Sequence, residues 1–233
     1  KVAKHGNRTA TRKSGSADFL EEAGVSLSLK PEEIAQCIEE VGIGFMFAPS
    51  HHSAMKHVIG PRKEIGQKSI FNILGPLTNP ASAKRQLMGV YDKKWMLPIA
   101  QVLKELGSEH LLIVHSEDGL DEISIAAPTS VVEMKKGTIT EFQICPEDFG
   151  FETSSLGGLE ANSPEQSLQI ANLALCGEHK EASAMVAMAA GAALYISDIS
   201  DSLDSGVELA KDCIKEGGGI SKLNELIDFS SKF

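Results

Sequence analysis

Long apolar runs are missing from this chain. None approaches the roughly 18 residues needed to cross a bilayer as a helix, so a membrane-spanning reading is excluded. The first residues, Lys1-Val2-Ala3-Lys4-His5, contain no apolar core of a secretory signal. Cysteine is scarce and scattered. Cys37, Cys145, Cys176 and Cys213 form no CxxC pair, which excludes a cysteine-based zinc site or a redox dithiol. They are expected to serve as small buried apolar residues in a reduced, cytoplasmic compartment. Cations are outnumbered as well: 22 Lys plus Arg stand against 32 acids, for a net charge of −10. That balance opposes non-specific nucleic-acid binding, which needs many cationic contacts to phosphates. Internal repeats and low-complexity linkers are also absent.

What is present begins at the first residues. Lys1, Lys4, Arg8, Arg12 and Lys13 all precede the first acid, Asp18. A cationic strip rich in Gly and Ser within an anionic protein suits a small, highly negative ligand, polyphosphate above all. Gly6 and Gly15 let backbone amides approach phosphate oxygens without a Cβ in the way. Ser16 and Asp18 stand where a helix would begin, and its amides and dipole also favour an anion. On composition alone, a basic tail followed by an ordinary N-cap is the better reading.

The remaining pattern is that of an α/β chain. Ser16 to Gly24 predicts a short helix closed by glycine. Pro31 opens a second helix, with Ile34, Cys37, Ile38 and Val41 on one face and Gly42 at its end. Strands are predicted at 43–48, 86–91 and 110–115, and a hairpin at 130–134 and 138–144 around Lys136-Gly137. Helices are predicted at 55–65, broken near Gly60-Pro61, and at 93–106. The chain beyond Pro164 is nearly all helix, near 164–176, 181–196, 201–216 and 219–228. The Ala-rich stretch 182–193 suits close helix packing. Helices alternating with short apolar strands imply a mainly parallel sheet flanked by helices, with a helical C-terminal part. At this length roughly 70–75% of the unfolded surface can be buried, and one domain over 1–233 is expected.

Asp121-Glu122 follows the apolar strand HLLIVH after a short Gly-containing loop. Ligands of open α/β sheets sit beyond the carboxyl ends of strands. Paired carboxylates there can hold Mg²⁺, which takes hard oxygen ligands and is often shared with phosphates; a solvated loop is the competing reading. His52 and His57 are not spaced i, i+4, and no cysteine is near, so they do not read as a zinc site. Arg62 follows Gly60-Pro61, and its fork suits a carboxylate. Phe71 to Pro80 (FNILGPLTNP) has the composition of a stiff loop.

The order of these segments resembles the anthranilate phosphoribosyltransferase family. KHGNR at Lys4–Arg8, SGSAD at Ser14–Asp18, FAPSHHSAMKHVIGPRKEIG from Phe47, FNILGPLTNPA from Phe71 and HSEDGLDEIS from His115 all agree in sequence and order, while DFGF from Asp148 and AALY from Ala192 match more loosely. The resemblance implies transfer of a 5-phosphoribosyl group from phosphoribosyl pyrophosphate (PRPP) to the amine of anthranilate, with release of pyrophosphate, in tryptophan biosynthesis. It implies PRPP contacts by Lys4, His5, Gly6, Asn7, Arg8, Arg12 and Ser16. It also implies anthranilate contacts by His5, Asn7, Ala48, His52, Arg62 and Gly75, and Mg²⁺ held by Asp121 and Glu122. Lys4, Asp121 and Glu122 would stabilise charge in the transition state, with no acid–base residue required. Arg12 departs from the family, where small residues are the rule.

The family also carries a Gly-rich loop of the form GTGGDG ahead of KHGN and a helical region that makes a homodimer. Neither is among these 233 residues. The chain therefore reads as the N-terminally truncated catalytic domain of a larger enzyme, expected to be inactive alone. The alternatives are a pyrimidine nucleoside phosphorylase-like enzyme and a non-enzymatic nucleic-acid-binding relative.

Overall fold

The computed structural model describes residues 1–8, 14–51, 74–75 and 77–233. The predicted helix at 55–65, together with Arg12, His52, His57 and Arg62, lies outside the described residues. The chain divides into two compact units. The first comprises Lys1–Ser82, Ala161–Gln169 and Ser221–Phe233, and the second comprises Ala83–Glu160 and Ile170–Ile220.

In the first unit, β1 (Val2–Gly6) pairs in parallel with β2 (Ile43–Phe47). Lys4 stands opposite Phe45, His5 opposite Met46 and Gly6 opposite Phe47. The helix α1 (Ser16–Glu22) ends ahead of Gly24, whose φ of 96° suits the residue without a Cβ. The helix α2 (Pro31–Glu40) starts on Pro31 and stops before Gly42. The amphipathic face predicted for it is real: Ile34 and Cys37 are buried. Cys37 and Val41 join Val25, Leu226 and Phe229 in one apolar cluster, and Ile34 joins Leu29 and Met46 in another. After β2 the chain turns directly into α3 (Ala48–His51).

In the second unit, four strands are ordered β3 (Arg85–Gly89), β4 (His110–Ser116), β5 (Thr129–Lys135) and β6 (Thr138–Ile144). The β3/β4 pair is parallel, while β4/β5 and β5/β6 are antiparallel. The α/β class holds, but this sheet is mixed. The hairpin expected from Lys136-Gly137 is present, and its first strand lies along β4. The segment 117–128 between them contains no helix to serve as the crossover that a parallel neighbour requires. Residues His110 to Val114 of β4 are all buried, the mark of a strand covered on both faces.

The remaining helices among the described residues are α4 (Met96–Glu105), α5 (Pro164–Leu175), α6 (Lys180–Ile196), α7 (Leu203–Lys215) and α8 (Gly218–Ser230). The main core of the second unit joins Leu112, Val114, Ile123 and Val131 of the sheet side to Ala184, Ala187, Met188 and Ala192 of α6 and Val207 and Ala210 of α7. The small residues of α6 allow backbone approach: a Cβ placed on Gly191 would lie 2.5 Å from the Val207 amide nitrogen. None of the described helices is long and apolar enough to cross a membrane. The cysteines depart in part from expectation. Cys37 is buried, but Cys176, in the turn after Leu175, and Cys213, in the helix Leu203–Lys215, are exposed.

Candidate active site

The first unit gathers the KHGN segment at the carboxyl ends of its two parallel strands. Strand alternation leaves Lys4 exposed and His5 half-buried. Gly6 closes β1 opposite Phe47, so Asn7 and Ala48 leave the sheet from the ends of neighbouring strands. Gly6 also packs against the start of α1: a Cβ there would stand 2.8 Å from the Ser16 hydroxyl and 2.7 Å from the Phe45 ring. This is the close approach that the glycine was expected to serve. The Ser14 hydroxyl is buried and finds no hydrogen-bond partner among the described residues. An orphaned donor costs free energy unless a ligand or water satisfies it, so a bound anion beside Ser16 fits the local chemistry.

Two groups of this strip already have partners within the protein. The Gly15 amide donates to the Asp18 carboxylate at 2.9 Å, so it is already used at the head of α1. Arg8 is the second. Its guanidinium grips Glu21 through two bonds of 2.7 and 2.9 Å and Asp18 through a third of 3.0 Å. The hydrogen bonds from Arg8 hold the Glu21 carboxyl below its ordinary range. The fork, bonded to both carboxylates, ties the end of β1 to α1.

The loop containing Gly75 is fastened to the same strand. Leu74, Gly75 and Leu77 take helical backbone within the segment expected to be a stiff loop, and the Thr78 amide donates to the Gly75 carbonyl at 3.2 Å. The Asn79 side chain donates to the Ala3 carbonyl at 3.2 Å and accepts from the Ala81 amide at 2.9 Å. Asn79 is thus a positioning residue beside Lys4 that composition alone did not single out. An Asn between Thr and Pro was its one visible signal.

In the second unit, Asp121 and Glu122 lie just past the carboxyl end of β4, as expected. Asp121 is half-buried and Glu122 exposed. The loop leading to them is closed by Ser116 N–H to Leu120 O at 2.9 Å and Gly119 N–H to Ser116 O at 2.9 Å. Asp118 accepts from the Leu120 amide at 3.0 Å and from the Ser124 hydroxyl at 2.5 Å. Burial pushes the Asp118 carboxyl up, but hydrogen bonds from Ser124, Leu120 and Ser116 together outweigh it and hold the group below its ordinary range. Ile123 and Ile125 are buried just beyond the pair. No group of three or more His, Cys, Asp or Glu able to hold a metal occurs among the described residues. Two adjacent carboxylates nevertheless suit Mg²⁺, which commonly takes one or two protein carboxylates and completes its shell with water and substrate phosphate.

Comparison with known proteins places these motifs. The family described as "Glycosyl transferase family, a/b domain" matches residues 1–220. Anthranilate phosphoribosyltransferase of Marinomonas sp. (strain MWYL1) is 55% identical over the whole chain, which spans 68% of that protein. The crystal structure of anthranilate phosphoribosyltransferase from Thermus thermophilus is 40% identical, with a TM-score of 0.92 over 99% of this chain and 69% of its own. The Saccharomyces cerevisiae enzyme in complex with PRPP and Mg is 26% identical, with a TM-score of 0.89 over 100% of this chain and 66% of its own. With the family matched over nearly its full length and a close likeness to enzymes of one activity, this chain belongs to the anthranilate phosphoribosyltransferase family.

Proposed function

We propose that the chain carries the phosphoribosyl-transferring part of an anthranilate phosphoribosyltransferase, which moves the 5-phosphoribosyl group of PRPP onto the amine of anthranilate and releases pyrophosphate in tryptophan biosynthesis. The observation that carries this reading is the seating of the KHGN segment. It lies at the carboxyl ends of parallel strands, with Gly6 against Ser16.

Cleavage of the ribose–pyrophosphate bond develops positive charge on the ribose and negative charge on the leaving group. Lys4 and Ser16 would bind phosphate oxygens, and Lys4 would offset the charge growing on the pyrophosphate. Asp121 and Glu122 would hold Mg²⁺, which when bound neutralises pyrophosphate charge as a Lewis acid. His5, Asn7, Ala48 and Gly75 would line the anthranilate side, with His52 and Arg62 contributing from outside the described residues. Arg12 would face the phosphates by its place in the sequence. Arg8 would contact PRPP from the end of β1, where its salt bridges to Glu21 and Asp18 also hold the strand in place. The chain's own contribution is positioning and charge, with no activated nucleophile.

The test is kinetic. Asp121→Asn combined with Glu122→Gln should abolish the magnesium dependence of PRPP use, and unchanged magnesium-dependent turnover would refute the assignment. Arg62→Ala removes a charge-assisted hydrogen bond of roughly 1.5–3 kcal/mol. Anthranilate use should therefore fall about 10- to 100-fold, with PRPP use little changed. The reverse pattern would move Arg62 to the phosphate side.

A further inference from the structure

The paired carboxylates Asp121 and Glu122 sit on a segment whose backbone is held from two directions by residues with no part in the chemistry. On one side is Gly89, the last residue of β3. A Cβ built there would fall 1.7 Å from the Asp121 carbonyl oxygen and 2.5 Å from its carbonyl carbon. The Asp121 peptide therefore lies directly on the glycine backbone, in space that any other residue would fill. The strand end beneath it is itself pinned, because the His115 Nδ1 donates to the Val90 carbonyl at 2.8 Å and the Val90 amide to the Val114 carbonyl at 3.0 Å.

On the other side is a side-chain clasp. One Asp118 oxygen takes the Leu120 amide, immediately before the pair, and the other takes the Ser124 hydroxyl, two residues beyond it. Ser124 is buried and also accepts from the Ala126 amide at 2.9 Å, while its own amide donates to the Thr129 hydroxyl at 3.2 Å. The clasp is thereby anchored to the start of β5. A carboxylate reaching both flanks of a two-residue segment limits how far that segment can move. The glycine seat fixes its height above the sheet.

We infer that Gly89 and the Asp118–Ser124 clasp are positioning residues for the Asp121–Glu122 metal-ligand pair, setting its backbone before any ligand arrives. The inference rests on the magnesium reading above. It adds the supports to that reading. Pre-set donors do not have to be ordered when the cation binds, and loss of outer supports of this kind commonly lowers metal affinity by roughly 10- to 100-fold.

The test measures metal binding apart from turnover. Mn²⁺, a paramagnetic substitute for Mg²⁺, is titrated alone into the protein and followed by electron paramagnetic resonance. Ser124→Ala opens the clasp without changing any charge, and Gly89→Ala removes the seat without changing any charge. Each should weaken Mn²⁺ binding about tenfold and speed amide exchange over residues 118–124. Asp121→Asn with Glu122→Gln serves as the reference for loss of the ligands. Wild-type Mn²⁺ affinity in Ser124→Ala, with binding lost in the reference variant, would overturn the positioning inference while leaving the magnesium reading intact. Undiminished binding in the reference variant would overturn the magnesium reading, and the inference with it. Should Gly89→Ala fail to fold, Ser124→Ala decides the matter. A fall in its melting temperature without loss of Mn²⁺ affinity would mark the clasp as merely structural and overturn the inference.

Discussion

Gly6 shows how much one missing methyl group can matter. The Phe45 ring and the Ser16 hydroxyl both occupy the space a Cβ would need. Gly6→Ala must push the Phe45 ring aside or drive β1 away from α1, and overpacking of this kind costs typically about 1–3 kcal/mol. Because Ser16 is among the displaced groups, the variant should lose PRPP affinity as well as stability. Steady-state kinetics beside urea denaturation checks this; a destabilised variant with an unchanged Michaelis constant for PRPP would separate Gly6 from the site. Arg8 teaches the opposite lesson. Adjacent to KHGN, it reads as one more cation for a polyphosphate, yet Glu21 and Asp18 claim it. A residue thirteen positions away is not visible as a partner until α1 folds back beside the strand.

At the scale of elements, the Ala-rich stretch of α6 was a legible sign of close packing, and its partner is α7. The contact is made through backbone: a Cβ on Gly191 would meet the Val207 nitrogen at 2.5 Å, and one on Gly206 the Gly191 carbonyl oxygen at 2.4 Å. Backbone atoms cannot rotate away as a side-chain tip can. Gly191→Ala should therefore destabilise the second unit by about 1–3 kcal/mol, despite alanine's better helix propensity. A lowered urea midpoint with little change in its slope is the expected result, and a raised midpoint would show that the helices separate at little cost. The strand β4 carries a second element-level finding. Read as an apolar run, it begins with His110, which is 1% exposed. Its Nε2 pairs with Glu133 of β5 at 2.8 Å, and the Tyr195 hydroxyl of α6 donates to the same carboxylate oxygen at 2.8 Å. Only the antiparallel register of β4 and β5 brings that acid near.

For the molecule as a whole, charge sets the response to acid. The net charge is −10 and the isoelectric point about 5.2, so lowering the pH from 7 toward 5 relieves self-repulsion. Hydrogen bonds oppose further acidification. Glu21 is held below its ordinary range by Arg8, Asp92 by Lys94, Glu147 by Thr153 and Asp198 by Arg85. A carboxyl depressed in the folded state takes up protons more readily when unfolded. Its contribution is complete above the ordinary carboxylate pKa of about 4 and is lost as the pH falls through its lower folded value. Glu21, Glu147 and Asp198 are exposed and Asp92 is partly so, so each contribution is small. The melting temperature should stay level or rise slightly from pH 7 to about 5.5, then decline below roughly pH 4.5. Continued stabilisation down to about pH 3 would show that these carboxyls are not held below their ordinary range in the folded state.

By itself the sequence determined what depends on neighbours along the chain. Helix starts at Pro31, stops at Gly24 and Gly42, the buried run of β4 and the turn at Lys136-Gly137 all follow from local dihedral preference and periodicity. The motif segments were legible for the same reason, since KHGN, LGPLTN and GLDE are contiguous words. Tertiary structure alone decided what depends on residues distant in sequence. It made the second sheet mixed by laying β5 along β4, paired Arg8 with Glu21 and Asp18, fastened the Gly75 loop to β1 through Asn79, and placed Gly89 beneath Asp121. Hydrogen bonds and van der Waals contacts act over a few ångströms of space whatever the separation along the chain. A sequence can therefore name the residues of a site, but the residues that hold them in place become visible only once the chain has brought them together.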